Sequence, residues 1–147
     1  MLGGSFTVKV DDKGRFKIPA DFKRLILEKF GDGAFFITST KGECAQIYPG
    51  KVWAEIDGKL NSQPPSNPRI KRFRRWTSYY GQHTSMDPQG RILIHPVLRS
   101  EAGITDEVLV IGQNNHLEIW NLKRFKKSLL ANPIDSEDED YLATLGI

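Results

Sequence analysis

Asp11-Asp12-Lys13-Gly14-Arg15 recurs as Asp87-Pro88-Gln89-Gly90-Arg91, and the two copies lead into Ile18 and Ile94 at the same spacing. A repeated Asp, Gly, Arg and Ile in a chain of 147 residues indicates an internal duplication, which sets the architecture and usually the binding surface. Each copy presents one arginine directly after a tight turn. The repeat therefore predicts two similar halves and a binder with two related sites.

The residues downstream of each motif are also alike. Ala34-Phe35-Phe36-Ile37 resembles Val108-Leu109-Val110-Ile111, and Gln46-Ile47-Tyr48 resembles Glu118-Ile119-Trp120. The offset between the copies falls from 76 residues at the motif to 72 at the last block, so the first half carries about four extra residues in a helix-loop region. We expect a first domain at residues 5–52, linker helices at 53–80, a second domain at 81–124, and a C-terminal helix with an acidic tail at 125–147.

The composition limits the class of protein. A chain of 147 residues is enough for one compact unit or two very small ones. No apolar run predicts a membrane span, and Met1–Ser5 lacks the basic and apolar regions of a secretory signal. The single Cys44 can form no internal disulfide and suits a reducing compartment, so we expect a cytoplasmic protein.

The charges are segregated along the chain. Residues 131–147 contain five acidic residues and no lysine or arginine, which leaves 21 basic against 13 acidic side chains in the rest of the protein. A basic body with a short acidic tail indicates a polyanionic partner, although many ordinary domains are equally basic. The tail from Pro133 has few large apolar groups and is predicted to be mobile.

The first half begins with a predicted β-hairpin. Alternating apolar residues over Phe6–Val10 are typical of a half-buried strand that faces inward at Phe6, and Asp11–Gly14 has the Asp and Gly of a type I turn followed by a left-handed residue. The returning strand would turn Phe16 and Ile18 inward. The outward positions form a cationic face of Lys9, Lys13, Arg15 and Lys17.

The remaining elements follow in the same order in both halves. A helix from Pro19 to Gly31, strands at residues 34–39 and 44–48, and a short helix over 52–60 complete the first half. Gln63–Pro68 is the linker, and an apolar stripe from Ile70 to Tyr80 predicts a helix that enters the second half. The strand, turn and helix pattern then repeats, and a last helix is expected over residues 123–130.

The duplicated turns are the candidate binding elements. The turn-shaping residues are Asp11, Gly14, Asp87 and Gly90. Turn formation explains these four but not the arginine that follows each glycine. The planar forks of Arg15 and Arg91 suit a phosphate or a guanine edge, and a salt bridge to the aspartate of the same turn is the alternative. A second basic segment, Arg69–Trp76, is interpreted as a solvated helix face, with phosphates or acidic side chains of another subunit as the alternative partners.

No catalytic or metal-binding pattern is present in the sequence. His83, His95 and His116 lie in separate segments, and Cys44 lies within a predicted strand with no neighbouring base. There is no nucleophile elbow and no phosphate-cradling glycine loop. The sequence therefore predicts neither an enzyme nor a cofactor or metal site.

The motifs resemble those of the MraZ family of bacterial transcriptional regulators. In the first half the matching segments are Met1-x-Gly-Gly-Ser-Phe, Asp11-x-Lys13-Gly14-Arg15-x-x-Ile18-Pro19, and Ile47-Tyr48-Pro49 with Trp53. In the second half they are Asp87-x-x-Gly90-Arg91-Ile92-Leu93-Ile94, Pro96-x-Leu98-Arg99-x-x-Ala102-Gly103, and Glu118-Ile119-Trp120. The resemblance covers residues 1 to about 130.

The resemblance implies an α+β protein of two tandem SpoVT/AbrB-type domains, built as swapped-hairpin β-barrel halves about a pseudo-twofold axis. It implies that Asp11/Arg15 and Asp87/Arg91 are the DNA-contacting elements. From the residues themselves we expect Asp11 and Asp87 to shape the turns, and Lys9, Lys13 and Lys17 to add electrostatic affinity. The resemblance further implies assembly into rings and binding to short direct repeats upstream of the division and cell-wall gene cluster. The expected partners are double-stranded DNA and the chain itself, and the expected location is the nucleoid.

The second motif differs from the first in its basic residues. Gln89 stands where Lys13 does, and Leu93 stands where Lys17 does. We therefore expect the second turn to depend almost entirely on Arg91 for its positive charge. The alternative function is a protein-interaction module of antitoxin type, which the salt dependence of binding would distinguish from DNA binding.

Overall fold

The computed structural model describes all 147 residues, which form eight strands and six helices. The strands are β1 Ser5–Lys9, β2 Arg15–Lys17, β3 Ala34–Thr38, β4 Ala45–Pro49, β5 Gln82–Ser85, β6 Arg91–Leu93, β7 Glu107–Gly112 and β8 Leu117–Asn121. The helices are α1 Ala20–Phe30, α2 Gly50–Asn61, α3 Pro68–Tyr79, α4 Pro96–Glu101, α5 Leu122–Ala131 and α6 Ser136–Thr144. Strands β1–β4 and β5–β8 follow one another in the order that the repeat predicts.

The two halves exchange strands. β1 pairs with β7, β3 with β5, and β2 with β6, and β4 and β8 meet between the halves. Six strands form one sheet in the order β1-β7-β8-β4-β3-β5, and β2 and β6 form a separate two-stranded sheet. The predicted local hairpin of β1 with β2 is wrong, because only the turn at its tip forms and both strands pair with the other half. The α+β, swapped-hairpin architecture that the resemblance implies is confirmed.

Two strand registers define a pseudo-twofold axis. Phe16 pairs with Ile92, which is its own counterpart in the second motif. Gln46 likewise pairs with its counterpart Glu118. Because equivalent positions of two antiparallel strands lie opposite each other, a twofold rotation relates the halves. The chain is thus arranged as a dimer of similar units would be.

The same symmetry corrects one predicted alignment. Val108 pairs with Val8, and Phe35 pairs with Thr84, the counterpart of Val8 in the second half. Phe35 is therefore equivalent to Val108, not to Leu109 as the sequence comparison predicts. The run of apolar residues in β3 has no polar position to mark its phase, so a shift of one residue is invisible in the sequence.

One hydrophobic core is shared by both halves. The largest fully buried side chains are Phe16, Phe22, Ile26, Ile37, Ile47, Ile92, Ile94, Leu98, Ile104, Leu117, Ile119 and Val108. Each contributes about 1.5–3 kcal/mol by removal from water. The sequence pattern predicts that Phe6 faces inward, but its side chain is 39% exposed because β1 is an edge strand. Its ring packs edge-on against Phe22, with ring centroids 5.2 Å apart. The domain boundaries proposed from the sequence remain a prediction.

The helix boundaries follow local chemistry. Pro19 precedes α1, and Gly31 ends it in a left-handed conformation whose N–H donates to Leu27 O. Asn67 caps α3 by accepting a hydrogen bond from the backbone N–H of Arg69. All six helices are too short or too polar to traverse a lipid bilayer.

The C-terminal tail forms a helix, which the acidic composition does not predict, and the mobility of the tail stays a prediction. Asp135 and Asp138 form a capping box: the N–H of Asp138 donates to Asp135 Oδ1 at 2.8 Å, and the N–H of Asp135 donates to Asp138 Oδ2 at 3.2 Å. Acidic residues in the first turn also favour the positive end of the helix dipole. Helix α6 buries no side chain. Its start is therefore set by capping rather than by packing, a signal that the overall acidity of the tail obscures.

Candidate nucleic-acid interface

The first motif forms a closed turn around its aspartate. Asp11 Oδ1 accepts hydrogen bonds from the backbone N–H groups of Lys13 at 3.0 Å and Arg15 at 2.9 Å. The N–H of Gly14 donates to Asp11 O, and the N–H of Asp11 donates to Arg15 O. Gly14 has a φ of 83°, the left-handed conformation that glycine adopts without steric cost. The predicted turn and its left-handed glycine are confirmed.

The second motif repeats this bonding with a different sequence between Asp and Gly. Asp87 Oδ1 accepts from the backbone N–H groups of Gln89 at 2.9 Å and Arg91 at 2.8 Å. Gly90 has a φ of 76°. Since Pro88 and Gln89 replace Asp12 and Lys13 without changing the bonds, the aspartate and glycine define the turn.

Each aspartate also holds the arginine of its own turn. Arg15 Nε lies 2.9 Å from Asp11 Oδ2, and Arg91 Nε lies 2.7 Å from Asp87 Oδ2. The salt bridge considered as the alternative role of the arginine is therefore formed, but it uses only Nε. The terminal Nη groups make no hydrogen bond within the chain, and both arginine side chains are 30% exposed. A partly exposed ion pair contributes little to stability, so its main effect is to orient the guanidinium.

The two aspartates are ionised throughout the neutral range. The backbone N–H of Arg15 donates to the Asp11 carboxylate and, together with the guanidinium and the N–H of Lys13, lowers the pKa of Asp11 below its ordinary value. The corresponding groups of Arg91 and Gln89 lower the pKa of Asp87. Partial desolvation opposes the shift at both sites. The carboxylates therefore remain charged and able to hold the arginines.

The glycine and isoleucine of the motif connect the two halves. The N–H of Ile18 donates to Gly90 O at 3.0 Å, and the N–H of Ile94 donates to Gly14 O at 3.4 Å. These bonds extend the short ladder between β2 and β6 at both ends. The fixed spacing from Gly to Ile is thus explained by pairing across the pseudo-twofold axis, which cannot be recognised in one half alone.

The outward side of the two-stranded sheet is called the motif face here, and it consists of Arg15, Lys17, Arg91 and Leu93. Phe16 and Ile92 between them point into the core. Arg15 lies opposite Leu93, and Lys17 lies opposite Arg91. The two arginines are therefore diagonal neighbours, with Cα atoms about 7–8 Å apart. The structure brings together three of the five predicted basic residues on one small surface.

Two further cations flank the motif face, and sequence reasoning missed both. Arg99 of α4 covers the first turn, and its Nη1 donates to Lys13 O at 2.9 Å. Lys23 of α1 lies beside the second turn, with Nζ 3.3 Å from where a Cβ of Gly90 would be. Each cation belongs to the half opposite to the turn that it contacts. Their shared position, eight residues after the motif arginine in both copies, is the sequence signal that could have identified them.

Strand exchange also regroups the charges of the two motifs. Lys17 belongs to the first motif in sequence but lies across from Arg91. The second turn therefore has Lys17 and Lys23 close to Arg91, whereas Arg15 has the apolar Leu93 across from it. The expectation that the second turn depends almost entirely on Arg91 for positive charge is wrong in this respect.

Lys9 and Lys13 lie apart from the motif face. Lys13 is exposed at the tip of the first turn. Lys9 is the last residue of β1, pairs with Glu107 of β7, and lines an open cleft of about 540 Å³ that also includes Lys123. Lys9 was expected to join Arg15 and Lys17, but it belongs to the six-stranded sheet because β1 does not pair with β2. Its part in binding remains a prediction.

The histidines and the cysteine have structural environments. His83 packs against Phe36 and His116 stacks on Tyr48, with ring centroids 4.8 and 4.5 Å apart. Burial lowers the pKa of His116 and raises the pKa of the Cys44 thiol. No group of three or more His, Cys, Asp or Glu side chains is arranged to hold a metal ion.

A duplicated turn-and-strand unit that exchanges strands about a pseudo-twofold axis defines a tandem swapped-hairpin protein with paired arginine turns. Residues 1–76 and 81–142 match the family described as "MraZ protein, putative antitoxin-like". The chain is 44% identical to the transcriptional regulator MraZ of Acidobacterium capsulatum and 40% identical to that of Koribacter versatilis, in each case over 147 residues and the full length of both proteins. It is 34% identical to the Escherichia coli O127:H6 protein of the same name over 121 residues, which are 82% of this chain and 80% of that protein.

The chain belongs to the MraZ family. The resemblance seen in the two motifs is therefore confirmed over both halves. The family is one of transcriptional regulators and not of enzymes, which confirms the prediction made from the absence of catalytic patterns.

Proposed function

We propose that the protein is a transcriptional regulator that binds double-stranded DNA sequence-specifically through the motif face. This proposal rests on the hydrogen bonding of the guanidinium groups of Arg15 and Arg91. Each is fixed by its own aspartate through Nε while its terminal Nη groups have no partner in the chain. Two preoriented donor forks on one surface suit the O6 and N7 acceptors of guanine, which arginine binds bidentately in the major groove.

The dimensions of the motif face support a groove contact. A two-stranded antiparallel ribbon fits the major groove of B-DNA, which is about 12 Å wide. The diagonal separation of Arg15 and Arg91, about 7–8 Å at Cα, allows both side chains to reach base edges of neighbouring base pairs. Leu93 on the same surface offers an apolar contact that suits the methyl group of thymine.

The surrounding lysines supply the contact to phosphate. The two motif arginines are neutralised by Asp11 and Asp87, so the net positive charge of this surface comes from its other cations. These are Lys17 on the motif face, Lys23 and Arg99 beside it, and Lys13 further out at the tip of the first turn. Such residues bind the backbone of any sequence and position the protein, while the arginines discriminate between bases.

The finer details of the target follow from the family resemblance. We propose short direct repeats upstream of the division and cell-wall gene cluster, including the promoter of the protein's own gene, as the operator. Several copies of the chain, each with one motif face, would bind tandem repeats with a high effective concentration. A homo-oligomer on such DNA would be associated with the nucleoid in the cytoplasm.

Arginine-to-lysine variants test this proposal directly. Arg15→Lys and Arg91→Lys keep the charge but remove the bidentate fork, and each should cost about 1–3 kcal/mol on DNA from upstream of the gene. Binding to a scrambled duplex should change little, so the ratio of specific to non-specific affinity falls. Lys59→Ala, an exposed lysine on α2, is the control. Unchanged preference for the upstream DNA in both arginine variants would refute a role of the motif face in base recognition.

A protein-interaction module remains the second candidate function, because the family description includes the term antitoxin-like. A protein partner bound through a mixed surface would respond weakly to salt, whereas contacts to about six phosphates would weaken binding roughly a thousandfold between about 50 and 200 mM salt. A salt titration of the upstream DNA complex therefore separates the two candidates.

A further inference from the structure

The C-terminal segment that contains helix α6 exposes apolar side chains, of which Tyr141 lies in the helix and the others lie just before or after it. Tyr141, Leu145 and Ile147 are 66%, 59% and 81% exposed, and Ile134 just before the helix is 71% exposed. Isolated helices shorter than about 12–15 residues are marginal in water, and most helices are stabilised by packing of an apolar face. Since α6 has nine residues and buries none of them against its own chain, packing of the neighbouring apolar side chains against another surface would stabilise it.

Helix α3 provides a second exposed face of matching size. Trp76 and Tyr79 are 45% and 57% exposed, and with Arg75 they line an open cleft of about 440 Å³. Arg72, Trp76 and Tyr79 are spaced by four and three residues, so they share one face of the helix. The face therefore runs from a cationic first part to an aromatic second part.

The two helices carry opposite charges. α3 contains five basic and no acidic residues, and α6 contains four acidic and no basic residues. Among the basic residues only Arg74 is compensated, because it lies 3.0 Å from Asp57 of α2. The other four make no ion pair: Arg69, Lys71, Arg72 and Arg75. A surface of this kind attracts an acidic, apolar helix.

We propose that α6 of one copy docks onto α3 of a second copy, with the two helices parallel. Arg72 to Tyr79 and Asp138 to Leu145 each span seven residues, or about 10 Å at 1.5 Å per residue. Parallel alignment places the acidic start of α6 against the arginines and its apolar end against the aromatic residues. The proposal rests on the self-association included in the proposed function and names the surfaces that produce it.

The position of Glu101 favours a parallel over an antiparallel orientation of the docked helix. Its carboxylate accepts hydrogen bonds from the hydroxyls of Tyr79 and Tyr80 and lies in the cleft at the aromatic end of α3. An antiparallel α6 would bring its acidic turn next to this carboxylate, which like-charge repulsion disfavours. A parallel α6 instead places Tyr141 and Leu145 there.

Single charge reversals test the contact in the full-length protein. Arg72→Glu on α3 and Glu137→Arg on α6 should each raise the concentration of half-association at least about tenfold in light scattering, because each places like charges together. An equimolar mixture of the two variants should recover the association, since each then offers the surface that the other has lost. Glu139→Arg, on the side of α6 opposite to Glu137 and Tyr141, and Lys59→Glu on α2 are the matched controls and should leave the association unchanged.

The outcomes separate this contact from self-association in general. If the parent protein is oligomeric and both reversal variants keep its mass at every concentration, the contact is refuted while self-association stands. Loss of association without recovery in the mixture also refutes the contact. A parent that remains at 16.7 kDa, the mass of one chain, refutes both. Circular dichroism establishes that each variant is folded.

Discussion

Replacement of Gly14 and of Gly90 by alanine should destabilise the protein by different amounts, although the two glycines occupy equivalent places in the repeat. Both have left-handed backbones, with φ of 83° and 76°. This conformation costs an alanine about 1–2 kcal/mol relative to the right-handed one. At Gly90 a Cβ would meet the flexible end of Lys23 at 3.3 Å, so the backbone cost is the main effect.

At Gly14 the new Cβ would overlap the guanidinium of Arg99. Arg99 would have to move, and its Nη1 would lose hydrogen bonds to Lys13 O at 2.9 Å and to Ile94 O at 3.2 Å. At about 1 kcal/mol for each of these partly exposed bonds, Gly14→Ala should cost about 3–4 kcal/mol in total. With about 3 °C per kcal/mol for a chain of this size, the melting temperature should fall by about 10 °C, against about 4 °C for Gly90→Ala.

A double-mutant cycle with Arg99→Ala isolates the steric part of this effect. Once Arg99 is shortened, Gly14→Ala should cost only the backbone term of about 1–2 kcal/mol, so the coupling energy between the two positions should be about 2 kcal/mol. Thermal and urea unfolding of the four proteins give this energy. Equal costs of Gly14→Ala in both backgrounds, or equal costs of the two glycine substitutions, would show that Arg99 does not cover the first turn.

Two other outcomes follow from the motif face. Asp11→Asn and Asp87→Asn should each destabilise the protein above about pH 4, and the difference from the parent should vanish as the pH falls through the lowered folded-state pKa values, because the hydrogen bonds to each carboxylate stabilise only its ionised form. Thermal melts from about pH 7 to about pH 2 measure this difference, and a difference that stays constant with pH would contradict the expectation. Lys17→Ala should flatten the dependence of log K on log salt by about one unit on upstream and scrambled DNA alike, and an unchanged slope would exclude a phosphate contact at this residue.

The local parts of the fold could be predicted because their causes are local. Asp11 and Gly14 form their turn through bonds within five residues, and Gly31 ends α1 through its own backbone conformation. The strand partners could not be predicted in this way. A period of two identifies β1 as a strand, but the groups that satisfy its backbone lie about 100 residues further on, in β7. Only the family resemblance predicted that the two halves exchange strands.

The candidate site was predictable to the same extent. Arg15 and Arg91 were identified because the motif repeats, and the structure places both on one face. Lys9 was assigned to that face on the assumption of a local hairpin, and the exchange of β1 moved it to the other sheet. Lys23 and Arg99 were overlooked because each covers the turn of the opposite half. Every error at the site thus has the same origin, which is the pairing of the two halves.

The duplication also allows the two halves of the motif face to differ. In a true dimer of identical chains, two positions that are related by the twofold axis carry the same residue, and the face would match a palindromic DNA site. Here both halves lie in one chain, so Lys17 and its counterpart Leu93 are free to differ, as are Lys13 and Gln89. One end of the face pairs Arg91 with a lysine and the other pairs Arg15 with a leucine, which gives the face a direction. A DNA-binding surface with a direction is suited to sites that repeat head to tail, and this agrees with the direct repeats proposed as the operator.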